Sequence, residues 1–201
     1  MNRALQGKRL TKTDFRVPSI ATADLSGKVV LEVVPRGKHM LTRIDNGLTL
    51  HTHFKMDGTW HIYRPGQRWR GGKPHEVRVV LETDDRVAVG FRLPVVELLP
   101  TVEEDKVVGH LGPDVLSSEW NPGVAAKNVS ASEASIFEAL HDQRNVAGLG
   151  NLYCNESLFR AGVNPWAGAR SIDDLPALLE IGRKLMTANL KGWHQSTTGD
   201  T

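Results

Sequence analysis

Residues 141–165 read HDQRNVAGLGNLYCNESLFRAGVNP, and the order of the rest of the chain is best read outward from them. A helix is expected to end near His141. A turn interrupted by two glycines covers 146–150, and a second helix opens at Asn151 carrying Leu152, Leu158 and Phe159. The pattern is helix, turn, helix. Gly148 and Gly150 admit positive φ and let a ligand come close to the backbone, while the helix after them offers unpaired N–H groups and the positive end of its dipole. Such an end suits a phosphate. The Asn151 carboxamide is placed either to cap the helix or to give an N–H donor to a phosphate oxygen. On this fragment alone, a plain turn is the commoner meaning of G-x-G before a helix.

A chain of 201 residues can bury a sizeable core, here expected to be shared between two modules. No apolar run approaches the roughly eighteen residues of a membrane span, and no signal peptide is legible, so a cytoplasmic protein without a membrane partner is expected. Cys154 is the single cysteine and falls inside the second helix of the motif. It can form neither an internal disulfide nor a Cys-rich zinc site, and reads as a small core residue. The formal net charge of +2 hides an asymmetry. Residues 1–80 carry 15 Lys/Arg against 6 Asp/Glu, a balance of +9, whereas residues 81–201 carry 10 against 17, a balance of −7. A basic first half suggests a polyanion lying mainly on it, with solvated charge as the ordinary alternative.

Taken in order, residues 1–7 look like the last turn of a helix closed by Gly7. β-rich runs follow at 29–34 and 39–44, joined by the turn-like PRGK. Asn46-Gly47 between apolar runs is a strong hairpin signal and pairs 39–44 with 48–54. On the return strand Leu48, Leu50 and Phe54 share one face, with Thr49, His51 and His53 on the other. Asp57-Gly58 turns into a strand at 59–63, a polar loop rich in Gly, Pro, Arg and Trp spans 64–74, and runs at 77–82, 87–91 and 95–99 complete the series. Short strands at hairpin spacing imply an antiparallel sandwich or barrel. A linker then holds His110, LGPDVL at 111–116 and Asn121-Pro122-Gly123. Ser130 to Glu133 reads as a capping box for a helix bearing Ile136, Phe137 and Leu140. After the opening motif comes a helix with Leu175, Leu178, Leu179, Leu185 and Met186, starting after Asp173 or Asp174.

The run D-Q-x-x-V-A-G-x-G-N-x-Y-x-N-E-S-L-F-x-A-G-V-x-P resembles the helix-two-turns-helix motif of the formamidopyrimidine-DNA glycosylase and endonuclease VIII (Fpg/Nei) family of base-excision repair enzymes. The first half resembles it too. RGKH at 36–39 is similar to the family segment whose lysine contacts the phosphate beside the lesion, which makes Lys38 the match; HFKMDGTW at 53–60 is similar to the loop that pushes an apolar residue into the duplex, with Met56 in that place. LGPDVL matches the stretch ahead of the helical domain. The resemblance implies an α+β fold: an antiparallel β-sandwich domain at 1–122, its first helix shortened, followed by an α-helical DNA-binding domain at 123–201 with the helix-two-turns-helix motif. It also implies a DNA glycosylase and abasic-site lyase acting on oxidised bases, with duplex DNA containing damaged bases or abasic sites as partner and a monomeric state.

Chemistry explains these residue types. An enzyme that cuts a base from its sugar takes the nucleotide out of the stack at a cost of a few kcal/mol, and an apolar wedge such as Met56 recovers part of it. Lys38 would serve as a point charge on a phosphate. His51 and His53 project from one face and could reach phosphate as well; as a metal pair they lack a third ligand, so no metal is expected there. Glu156, one helical turn beyond Leu152, is expected either to brace the motif from inside or to lie exposed. In the family the nucleophile is the secondary amine of an N-terminal proline beside a glutamate acid/base, which forms a Schiff base and then cuts the strand by β-elimination. No Pro-Glu opens this sequence, and Pro18 has an acylated nitrogen. The resemblance thus implies a chain that starts inside the helix after that proline and stops at TTGDT, ahead of the family's four-Cys zinc finger. It is expected to hold no cofactor and to be inactive as it stands, through a misplaced start or a truncation. The alternative is a non-catalytic damaged-DNA-binding protein that keeps the phosphate-gripping core.

Overall fold

A computed structural model describes residues 1–190, and the TTGDT stretch at 197–201 lies outside them. The chain divides into two units, Met1–Gly109 and His110–Thr201. The division falls ahead of residue 122 because the LGPDV segment belongs to the helical unit. There Asp114 makes a parallel bridge with Ala147, and Val115 is fully buried in the helical core.

The first unit opens with helix α1 (Asn2–Leu5), closed by Gly7 at φ +73°. Two four-stranded antiparallel sheets follow. One has the order β1 (Lys12–Phe15), β6 (Val77–Glu82), β7 (Val87–Phe91), β5 (Thr59–Tyr63); the other is β2 (Val30–Arg36), β3 (His39–Ile44), β4 (Leu48–His53), β8 (Val95–Pro100). The core between them joins Phe15, Val79 and Leu81 of one sheet to Val33, Ile44 and Leu50 of the other, with Leu5 and Leu10 below. Each such fully buried side chain contributes about 1.5–3 kcal/mol. This is the expected sandwich. Asn46-Gly47 closes the β3–β4 hairpin with Gly47 at φ +79°. The strand at 12–15 escaped the sequence reading because only Thr13 and Phe15 mark it, and its pairing with β6 is long-range. Residues 54–58 do not turn back on β4; they carry the chain into the other sheet, where β5 pairs with β7.

The second unit contains α3 (Pro122–Ala131), α4 (Ile136–His141), α5 (Asn151–Ala161) and α6 (Leu175–Asn189), while the short α2 (Asp105–Val108) ends the first unit. Two expectations are corrected here. Asn121-Pro122-Gly123 is no linker: Asn121 Oδ1 accepts the N–H groups of Gly123 and Val124, Pro122 stands at the first helical position, and a ten-residue helix follows. Ser130 therefore sits inside α3, and the capping box is Ser135 with Glu138, whose carboxylate takes the Ser135 N–H while Ser135 Oγ takes the Glu138 N–H. Burial on α5 also differs. Tyr153, Cys154, Ser157 and Leu158 face the core, whereas Leu152 and Phe159 lie on the exposed side, Phe159 at 82%. No described helix is long and apolar enough to cross a membrane.

Candidate functional site

In the first unit, Gly37 at φ +56° lets β2 turn into β3 within two residues, which sets Lys38 at the tip of the hairpin. The Lys38 carbonyl accepts the Phe54 N–H at 3.3 Å, so the hairpin is tied to the start of the 54–58 loop. That loop is built rather than slack. Lys55 takes φ +45°, its N–H donates to His53 Nδ1 at 3.0 Å, and the Gly58 N–H donates to the Phe54 carbonyl at 2.9 Å. A Cβ on Gly58 would lie 2.8 Å from that carbonyl oxygen, which explains glycine there. At the tip, Met56 is 93% exposed, a large apolar side chain held out from a fixed loop.

His53 is half-buried with its pKa lowered, first by burial and then by the charges of His51, Lys38 and Lys55. Because Nδ1 accepts from Lys55, the neutral ring carries its proton on Nε2, as a donor. His51 differs from expectation: only 3% of it is exposed. Its Nδ1 lies 2.7 Å from the Glu97 carboxylate and its Nε2 lies 2.7 Å from His39 Nδ1, so it sits beneath the surface instead of facing an outside phosphate. Beside it Arg43 joins Glu32 and Glu104, and Glu104 also accepts from Thr49 Oγ1 at 2.6 Å. Burial alone would push the Glu104 carboxyl up; the bonds from Arg43 and Thr49 outweigh it and hold it low, while the Glu104 bond raises Arg43.

In the second unit the turn before α5 is stitched by a residue that the sequence reading passed over. Gln143 Oε1 accepts the Gly148 N–H at 2.9 Å, and its Nε2 donates to the Leu149 carbonyl at 2.7 Å. The signal was available as the D-Q pair that opens the motif. Gly148 holds φ +99°, a conformation for glycine alone, and its N–H is spent on Gln143. Gly150 is the N-cap of α5 in extended backbone, with no side-chain cap bond. Asn151 is thus not the cap but the first helical residue. Its Oδ1 accepts from Asn155 Nδ2 at 3.1 Å, while its own Nδ2 makes no hydrogen bond among the described residues. The first-turn N–H groups of α5 have no partner within the helix, so this end presents donors and the positive dipole end together. Glu156 is half-buried and makes no hydrogen bond or ion pair among the described residues; the bracing inside α5 comes from Ser157, whose hydroxyl donates to the Tyr153 carbonyl. Cys154 is buried, and no group of three or more His, Cys, Asp or Glu is placed to hold a metal among the described residues.

Family models match both units: the formamidopyrimidine-DNA glycosylase N-terminal domain over residues 1–93 and the formamidopyrimidine-DNA glycosylase H2TH domain over residues 111–196. Among similar proteins, the probable endonuclease 8 2 of Streptomyces coelicolor is 51% identical over 199 residues, covering 98% of this chain and 72% of that protein. The chain belongs to the Fpg/Nei family. Fpg/Nei relatives also include the DNA-(apurinic or apyrimidinic site) lyase Nei2 of Mycolicibacterium smegmatis, 42% identical over 98% of this chain and 77% of that protein. The Fpg fold is matched as well. The formamidopyrimidine-DNA glycosylase of Lactococcus lactis, solved non-covalently bound to DNA containing an abasic site, aligns with a TM-score of 0.77 over 94% of this chain and 77% of that one, at 19% identity.

Proposed function

We propose that this chain grips damaged duplex DNA as the core of an Fpg/Nei-type glycosylase and abasic-site lyase. Lys38, His53 and the α5 end around Gly148, Gly150 and Asn151 take phosphates; Met56 fills the space of an extruded nucleotide. The observation that carries this reading is Met56 itself. An apolar side chain 93% exposed on a loop fixed at both ends has no packing role in its own unit, and a wedge between bases needs that rigidity. The relatives, an endonuclease 8 and an abasic-site lyase, and the DNA in the Lactococcus lactis structure support the same class of chemistry.

The nucleophile that the family resemblance implies, a secondary amine, is not supplied by residues 1–201. A polypeptide confined to those residues is proposed to bind without cutting. Borohydride trapping on an abasic duplex tests that clause, and anisotropy with an abasic-analogue duplex against an intact one tests the grip. Efficient trapping would overturn the first, and equal affinity for the two duplexes would overturn the wedge.

A further inference from the structure

Arg92, in the bend between β7 and β8, takes φ +49°, a region that residues bearing a side chain rarely enter. Its N–H donates to the Glu76 carbonyl at 2.8 Å, and its guanidinium reaches three separate points of the chain. Nη1 donates to Glu76 Oε2 at 2.9 Å and to the Gly71 carbonyl at 3.4 Å, while Nε donates to the Asp57 carbonyl at 3.3 Å. Glu76 Oε2 also accepts the Lys73 N–H at 2.7 Å, so the carboxylate that anchors the guanidinium is itself anchored. Gly72 makes the room: a Cβ there would fall 2.8 Å from Arg92 Nη1 and 2.6 Å from Glu76 Oε2.

Asp57 is the residue after Met56. The loop that carries Met56 has two ties of its own, from the Lys55 N–H to His53 Nδ1 and from the Gly58 N–H to the Phe54 carbonyl, and each joins residues close in sequence. Such local ties shape a loop without fixing where it stands on the sheet. Position needs bonds from elsewhere in the chain. The Lys38 carbonyl supplies one at Phe54, where the loop begins, and Arg92 supplies another at Asp57, 35 positions away in sequence. Met56 lies between these two anchors. A guanidinium can serve Glu76 and Asp57 together because its donors are fixed in one planar fork, whereas a lysine ammonium drawn to Glu76 would leave the Asp57 carbonyl without its donor.

We propose that Arg92 is a positioning residue for the wedge: by holding Asp57 it fixes where Met56 is presented, and so sets how sharply the chain tells a duplex with an abasic gap from an intact one. This rests on the wedge reading given above. A loop left free must be ordered when it inserts, which weakens binding where a gap is filled. Phosphate contacts, common to both duplexes, are untouched. The effect of Arg92 therefore runs through Met56 and vanishes when the wedge is removed.

A double-mutant cycle reads this, by fluorescence anisotropy at matched salt on a duplex holding a tetrahydrofuran abasic-site analogue and on the intact duplex. The quantity compared is the ratio of the two affinities in the parent, Met56→Ser, Arg92→Gln and the double variant. Arg92→Gln should lower the ratio by about threefold or more in the parent, and by less than about twofold in the Met56→Ser background. Arg92→Lys should lower it as Arg92→Gln does although it keeps the charge, and it decides the matter if Arg92→Gln does not fold. An unchanged ratio in folded Arg92 variants, an equal loss on both duplexes, rescue by Arg92→Lys, or losses that multiply in the double variant overturn the positioning role and leave the wedge reading intact. A parent that binds both duplexes equally, or an unchanged ratio in Met56→Ser, overturns both.

Discussion

The backbone N–H of Lys55 donates to Nδ1 of His53 across 3.0 Å, and this bond ties the charge state of one ring to the shape of the loop that carries Met56. An imidazolium has no free lone pair at Nδ1, so a protonated His53 cannot accept it. Burial, followed by the charges of His51, Lys38 and Lys55, lowers the His53 pKa below its usual 6.5. A depressed histidine stabilises the folded loop fully above the ordinary histidine range, and that contribution is lost as pH falls through 6.5 toward the folded value. Lys55 amide exchange should therefore lose protection below that range beyond its intrinsic pH dependence. His53→Ala should abolish the effect, and protection unchanged down to pH about 5 would contradict it.

Gln143→Ala removes both stitches of the turn before α5, leaving the Gly148 N–H and the Leu149 carbonyl without their partner in a buried segment. Each of the two unsatisfied groups costs about 1–3 kcal/mol, so urea denaturation should show a loss of about 2–6 kcal/mol. Gln143→Glu keeps an acceptor for Gly148 but has no donor for Leu149, and should fall between. Stability within about 0.5 kcal/mol of the parent would contradict the role given to Gln143.

Met56→Ser should leave the melting temperature unchanged, because the side chain is 93% exposed and packs on nothing that a hydroxymethyl group would disturb. Its effect should fall on discrimination: affinity for an abasic-analogue duplex drops while affinity for an intact duplex holds. An equal loss on both duplexes would make Met56 a general contact and not a wedge.

Much of this architecture was legible in the sequence. Asn46-Gly47 marked its hairpin because a type of turn that needs positive φ leaves few residue choices, and Asp174 marked the start of α6 for a similar reason, its Oδ1 accepting the Ala177 N–H at 3.0 Å. The misread parts have physical causes. Two successive Ser-x-x-Glu spacings, at 130–133 and 135–138, are equally good as strings, and tertiary packing of Ile136 and Leu140 goes with the second. The α3 helix was passed over because Asn-Pro-Gly suggests a turn, although Asn at the cap and Pro at the first helical position also open helices. Lys38, His53 and Met56 entered the candidate site from local pattern and resemblance, and the structure sets Lys38 in the β2–β3 turn, His53 half-buried and Met56 exposed. The Glu97–His51–His39 line was not legible, since it joins residues of three strands whose register no local signal gives.

Duplex affinity should fall steeply with salt, as expected when Lys38 and neighbouring cations neutralise phosphates. The plot of log K against log salt should be linear, with a slope of about −0.9 per phosphate engaged, and Lys38→Ala should lower its magnitude by about one phosphate. A flat response would remove the polyanion from the account.

The most direct test concerns Asn151. It stands at the first position of α5, not at the cap, with Asn155 on its Oδ1 and its Nδ2 donor unspent among the described residues. Asn151→Asp keeps the size and sets a negative charge where the dipole favours it, so the melting temperature should hold or rise. The same change removes the N–H donor and opposes a phosphate with a carboxylate. Fluorescence anisotropy at matched salt should show affinity for an abasic-analogue duplex reduced by about 1–3 kcal/mol, the loss of a charge-assisted hydrogen bond. A variant that binds as tightly as the parent would contradict a phosphate grip at the start of α5.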